Sequence, residues 1–214
     1  MRGTLKSICM AAAISLLTLA CQPDTPAPEP AAKSSPKHVD LIARGKTTGA
    51  WQLVLRDAGG ETVVNDLQGI SATGNLAVTP PDNQAHTDTF IASWNGPASL
   101  VLKGPADNFQ PLAIGGLVLE VIYKVMDADV SSASLAMGQP DAAMDITEQL
   151  NAKTTEGWQT SRIRLSCFAD QGAQMFSMSE PVIISVVGTL KLQVTSARLV
   201  TFAGTATCDE ENGT

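Results

Sequence analysis

The residues able to do covalent chemistry in this chain are few. There are four cysteines (Cys9, Cys21, Cys167, Cys208) and two histidines (His38, His86). The cysteine with the most suggestive surroundings is Cys167 in "RLSCFADQGAQM", residues 164–175, where an alternating run breaks into a polar loop. A thiol or hydroxyl nucleophile needs a neighbouring base. Here that base would have to be His86 in "PPDNQAHTD", because His38 sits at the end of a proline-rich stretch. No HExxH, P-loop, dinucleotide fingerprint or paired CxxC occurs, so zinc, nucleotide and thioredoxin-like chemistry lack their usual ligands. Two carboxylates about 5–10 Å apart across a cleft can hydrolyse a glycosidic bond. Asp127 with Asp129, and Asp141 with Asp145, are the local pairs, but both lie in turn-like segments where carboxylates are solvated. Such turns can also hold a structural Ca²⁺. No defined calcium loop is present, and neither a metal site nor a cofactor is expected. The chain reads as a non-enzyme.

Where the protein resides decides what Cys167 does. Arg2 and Lys6 precede an apolar stretch from Ile8 to Leu19, the right length for an export signal and short of the ~20 residues that span a bilayer. It ends in "LTLAC", a lipobox-like sequence that makes Cys21 the expected acylated N-terminus and residues 1–20 the signal. Acyl chains hold a protein at a membrane because each buried CH₂ adds ~0.8 kcal/mol. The next 16 residues, "QPDTPAPEPAAKSSPK", contain five prolines and no large apolar side chain. Residues 21–38 therefore read as an anchor and tether, placing the protein at the cell envelope, with Gln22 favouring the bacterial outer membrane. The "CDEENGT" terminus, residues 207–214 with its preceding threonine, is an acidic tail. In an oxidising compartment disulfides persist. Cys9 leaves with the signal and Cys21 takes lipid, so Cys167 and Cys208 remain and are expected to pair. Closing a loop of about 40 residues contributes roughly 4 kcal/mol in the chain-entropy view.

Residues 39–206 read as the folded domain. The net charge of −7 disfavours binding nucleic acid, which needs clustered Lys and Arg. Short alternating runs separated by Gly/Pro turns dominate, as expected of strands. "GAWQLVLRD" sets Trp51, Leu53 and Leu55 on one face; "TFIASWNGPASLVLKGP" gives two strands around Asn95-Gly96-Pro97. "GLVLEVIYKVMDAD" lines Leu117, Leu119, Val121, Tyr123 and Val125 on one side, and Val118, Glu120, Ile122, Lys124 and Met126 on the other. Ile163, Leu165 and Cys167 alternate with Arg162, Arg164 and Ser166. Only 145–153 is open to a short helix, or equally to a strand and turn. This pattern predicts an all-β fold, a jelly-roll or other β-sandwich.

Several stretches occur in a telling order: "ASWNGPASLVLKG", "LVLEVIYKVMDAD", "SLAMG", "MDITEQL", "GWQTSRIRLSCFADQGAQM", "PVIIS" and "GTLKLQVTSARL". Together they resemble the ExoP-type, galactose-binding-like C-terminal domain of bacterial family 3 glycoside hydrolases, over roughly residues 40–200. The resemblance implies a galactose-binding-like sandwich and a link to glucans or oligosaccharides. The catalytic barrel of such enzymes alone takes about 250 residues, so their catalytic carboxylates have no counterpart here. A sugar site commonly pairs an aromatic face with a few polar groups. Trp94 and Trp158, both at strand ends, are the candidate stacking residues; Asp88, Asn108 and Gln110, from loops 80–90 and 104–115, are the candidate polar ones. The expected function is a lipid-anchored, non-catalytic module that binds or helps handle oligo- or polysaccharide, β-glucan included, beside a glycoside hydrolase or transporter. The alternative is an envelope structural or protein-interaction module that binds no sugar.

Overall fold

The fold is given by a computed structural model that describes residues 38–81, 88–152, 157–202 and 208. The signal, Cys21, the tether up to residue 37, His86 and the acidic tail apart from Cys208 lie outside the described residues.

Two long strands, β9 (Leu117–Met137) and β12 (Val182–Thr201), organise the domain. They pair antiparallel from Leu117↔Thr201 to Ala136↔Ile183, with bulges at Val187/Gly188, Lys191/Leu192 and Val194/Ser196. Bulges bend a ribbon, and here they let it double back. Gly188 makes the tightest bend workable: its φ is +127° and a Cβ would lie 2.5 Å from the Asp129 carbonyl oxygen.

The shorter strands attach along this ribbon. On the free edge of β12 lie β8 (Ala98–Lys103), β7 (Phe90–Asn95) and β1 (His38–Ala43). β8 continues into β3 (Gln52–Asp57) and β4 (Gly60–Val64), and β7 into β6 (Leu76–Thr79) and β5 (Ser71–Ala72). β2 (Lys46–Thr47) pairs with β1. On the free edge of β9 lie β11 (Gln159–Arg164) near its start and β10 (Gln139–Asp145) near its end. The doubled-back sheet encloses one core. Leu117, Leu119, Val121, Tyr123 and Val125 all face it, as the alternation predicts, together with Leu53, Leu55, Phe90, Leu190 and Leu199.

Short helices close the ends. α1 (Gln110–Ile114) leads into the start of β9, and α3 (Leu165–Asp170) follows β11. A 3-10 turn (Met175–Ser177) precedes β12. The Gln139 side chain donates to the Gly172 carbonyl at 3.1 Å, tying the segment after α3 to the far end of β9's partner strand. The two ends of the ribbon thus converge under α1, α3 and the 3-10 turn, which form a cap. At the opposite, bent end, α2 (Thr147–Ala152) takes the place of a missing neighbour strand. Asn151 both accepts from the Val130 N–H (3.2 Å) and donates to its carbonyl (3.0 Å), and Thr147 Oγ1 accepts from the Ala133 N–H (2.8 Å). An unpaired strand edge needs such partners. Of the stretch 145–153, Thr147–Ala152 is therefore helical, and the Asp145 carboxylate at the end of β10 accepts the Thr147 N–H at 2.8 Å; residue 153 lies outside the described residues.

Two expectations need correction. Cys167 is not on a strand: β11 ends at Arg164 and Cys167 lies in α3. Leu165, Cys167 and Phe168 are all buried; Leu165 and Phe168, three apart, share one face of the helical turn. The loop at 104–115 likewise contains α1.

Candidate functional site

The predicted residues scatter. Trp94 is 1% exposed; it points inward from β7 alongside Phe90 and Ala92, and its indole N–H donates to the Ala98 carbonyl at 3.2 Å. A sealed indole cannot stack on a sugar, so Trp94 is a core residue. Trp51 packs against the core with an edge-on contact to Phe109, ring centroids 6.3 Å apart. Trp158 does expose a face, at 42%. It precedes β11, whose six residues span about 20 Å before the cap. Asn108 and Gln110 belong to that cap, and the Asn108 carboxamide oxygen accepts the Gln110 N–H at 3.0 Å, a turn-forming role. Asp88 is exposed beside Thr195, which donates to the Asp88 carbonyl at 3.1 Å. Trp158 and the Asn108–Gln110 pair therefore stand at opposite ends of β11 and do not form one site.

The carboxylate pairs fare similarly. Asp127 and Asp129 stand on β9 opposite Lys191 and Thr189. Asp145 accepts from Thr147, whose hydroxyl and then backbone N–H hold its carboxyl below the usual range. Among the described residues, no three His, Cys, Asp or Glu side chains converge as a metal site would require. Cys167 is joined to Cys208 by a disulfide, Cα atoms 5.3 Å apart.

A different place has the geometry of a site. Register alone assembles it: Arg56 (β3) faces Ser99 (β8), Ser99 faces Ser185 (β12), and Ser185 faces Ser134 (β9). All lie on the outer face of the sheet. The neighbouring row on that face, Val54–Val101–Ile183–Ala136, is apolar and buried. The serine row floors a shallow cleft of about 350 Å³, bordered by Asp57, Ala58, Pro97, Ser132 and Val187 near the bend of the ribbon. Ser99 and Ser185 share a hydrogen bond of 2.8 Å. A hydroxyl has one proton and two lone pairs, so this pair still offers one donor and several acceptor positions. Val187 adds an apolar surface, 43% exposed.

The two charged groups at the rim are already committed. Arg56 Nε donates to Glu61 at 2.7 Å, and its two terminal nitrogens donate to Glu180 at 3.3 and 2.7 Å. These bonds, the one to Glu180 first, raise its pKa further. Lys103 completes the network on Glu61 at 3.0 Å, and the bonds from Lys103 and Arg56 hold the Glu61 carboxyl low. Asp57 accepts from Gly59 N–H at 2.7 Å and Asn75 N–H at 3.2 Å. The Gly59 bond, then those from Thr73, Asn75 and Gly74, lower its pKa. The cleft therefore sets serine hydroxyls in a largely apolar lining, with Arg56 held by Glu61 and Glu180 and the Asp57 carboxylate held by backbone N–H groups. Sequence reasoning missed it because its serines come from three strands far apart in the chain.

The sheet topology and the capped β9–β12 ribbon define a galactose-binding-like β-sandwich. A family model described as Exop_C, galactose-binding domain-like, matches residues 50–199, and the chain belongs to that family. Two solved structures share the fold. One is the extra C-terminal domain (X) of an exo-1,3/1,4-β-glucanase from a Pseudoalteromonas species: TM-score 0.61 and 16% identity, covering 75% of this chain and 91% of that one. The other is the exo-1,3/1,4-β-glucanase of the same organism: TM-score 0.63 and 16% identity, covering 82% of this chain. The match spans only 22% of that enzyme. No curated protein matches the chain.

Proposed function

We propose that this protein is a non-catalytic, lipid-anchored module of the bacterial cell envelope, on the outer membrane, that holds neutral oligo- or polysaccharide of the glucan type in the serine-floored cleft. The carrying observation is the chemistry of that cleft. Arg56 is held by Glu61 and Glu180, and Asp57 by backbone N–H groups, so an ionic ligand would have to displace existing bonds. The cleft's hydroxyls suit a ligand that presents hydroxyls, and Val187 suits a sugar's C–H surface. Membership of the galactose-binding-like family supports this reading, because its relative is the extra domain of a β-glucanase. Fold alone does not assign a ligand. A lipid anchor at Cys21 would hold the module beside a glycoside hydrolase or transporter acting on the same polymer.

Calorimetric titration of the Ser35–Thr214 unit, which is compact in its own right, with mixed-linkage and β-1,3-gluco-oligosaccharides tests the proposal. Saturable binding that Ser185→Leu weakens at least tenfold is expected. Absence of binding across neutral glucans would overturn it.

A further inference from the structure

The cap end carries a surface that neither the cleft nor the fold accounts for. Ile114, at the end of α1, is 80% exposed, and Phe176, in the 3-10 turn, is 64% exposed. Their two segments touch: the Phe109 N–H donates to the Met175 carbonyl at 2.6 Å. Each segment is uncharged over nine consecutive residues, "NFQPLAIGG" (108–116) and "QGAQMFSMS" (171–179), with Asp107, Asp170 and Glu180 at their borders. In a chain of net charge −7, this is a local absence of charge beside exposed apolar side chains. Such surfaces mark interaction sites.

The same end is where the chain arrives from its tether. His38 pairs with Val200, and Val200 with Val118, one residue from the start of β9. α1 leads into that start. We infer that the cap end rests on the lipid surface, with Ile114 and Phe176 entering the headgroup–acyl boundary. This rests on the proposal that Cys21 is acylated. The argument for lipid is one of position and charge. The 16 residues between Cys21 and His38 reach at most about 55 Å, so the end of the domain where the tether enters stays within that distance of the bilayer. Tethering makes docking intramolecular, at an effective concentration on the order of millimolar, and a small apolar contact then suffices. An acidic protein is repelled least by an anionic leaflet where its charge is sparsest, as it is over 108–116 and 171–179. Docked this way, the cap faces the bilayer and the cleft, near the ribbon's bend, faces away from it.

The test uses the acylated full chain in phosphatidylethanolamine–phosphatidylglycerol vesicles, read by amide hydrogen exchange. Exchange across 109–116 and 174–178 should slow at least fivefold relative to the Cys21→Ser chain without vesicles. An Ile114→Asp/Phe176→Asp double variant, altered only at exposed positions, should still sediment with vesicles but lose that protection. Unchanged exchange at the cap in vesicles would overturn the inference. So would equal protection of the vesicle-free chain at the same concentration, which would assign the surface to self-association. Mass spectrometry of Cys21 separates the two ideas: an unacylated residue would remove the anchor itself, whereas acylation without cap protection would remove only the docking.

Discussion

Along the Leu117–Val125 arm of the β9–β12 ribbon, the polar groups of the outer face are paired with one another. Glu120 lies between Arg162 and Arg198 on the neighbouring strands, at 2.7 and 2.6 Å. The Arg162 guanidinium also lies 5.1 Å from the Phe202 ring centroid. Glu120 is only 3% exposed and Val118 beside it 1%, and the Cys167–Cys208 bridge closes the same end. The half near the bend has the same strands and the same pleat, yet its outer face bears Ser99, Ser185, Ser134 and Ser132 over an open cleft. Register is equally strict in both halves. The difference lies in the side chains it aligns: complementary charges complete each other, whereas hydroxyls remain able to take a ligand. One half holds the sheet together, and the other is the half left able to bind.

Four variants would break or sharpen that contrast. Replacing both disulfide cysteines by serine should have the largest effect. A bridge with a sequence separation of 41 is worth about 4 kcal/mol, or a Tm drop of about 8–16 °C for a domain of this size; calorimetry should show this with glucan affinity of the surviving fold intact. Glu120→Gln leaves two arginines facing a neutral amide. Because both are partly exposed, solvent screening limits the loss to about 2 kcal/mol, readable as a shift in the urea midpoint. Ser185→Leu should do the reverse, lowering glucan affinity at least tenfold while changing stability by under about 1 kcal/mol. A large stability loss there would mean the serine row is structural after all. Trp158→Ala should change both least, under about 0.5 kcal/mol in stability and under twofold in affinity. A collapse of affinity would move the ligand from the cleft to the outer face of β11.

Acid should act on the cleft rim. The pKa of Asp57 is lowered by bonds from Gly59, Thr73, Asn75 and Gly74, so its contribution is present above the ordinary carboxyl value of 3.8 and is lost as pH falls through the lower folded value. Thermal stability should stay flat from about pH 8 to 5 and fall only in stronger acid, and Asp57→Asn should shrink that acid limb without abolishing it, because the Glu61 and Asp145 carboxyls are held low as well.

Much of this was legible in the sequence, for a physical reason. The period-two row Leu117–Val125 announces a buried face because one side of a strand must meet the core. The same logic was available for Trp94, which continues the Phe90–Ala92 alternation; its place before a turn was the weaker signal. The disulfide was legible from counting the thiols left once the N-terminal stretch is read as an export signal. The short helix at Leu165–Asp170 was not, because two residues of extended-looking alternation mask one helical turn. The cleft was not legible either. Ser99, Ser134 and Ser185 are ordinary residues singly, and only the pairing of β8, β12 and β9 sets them side by side.

The most direct test maps where a neutral glucan lands. Amide hydrogen exchange of the Ser35–Thr214 unit, with and without saturating mixed-linkage gluco-oligosaccharide, should show protection at 56–58, 97–99, 132–134 and 185–187 and none at 109–116. Protection centred instead on Trp158 or the cap, or no protection at any concentration that saturates binding, would contradict the assignment of the cleft.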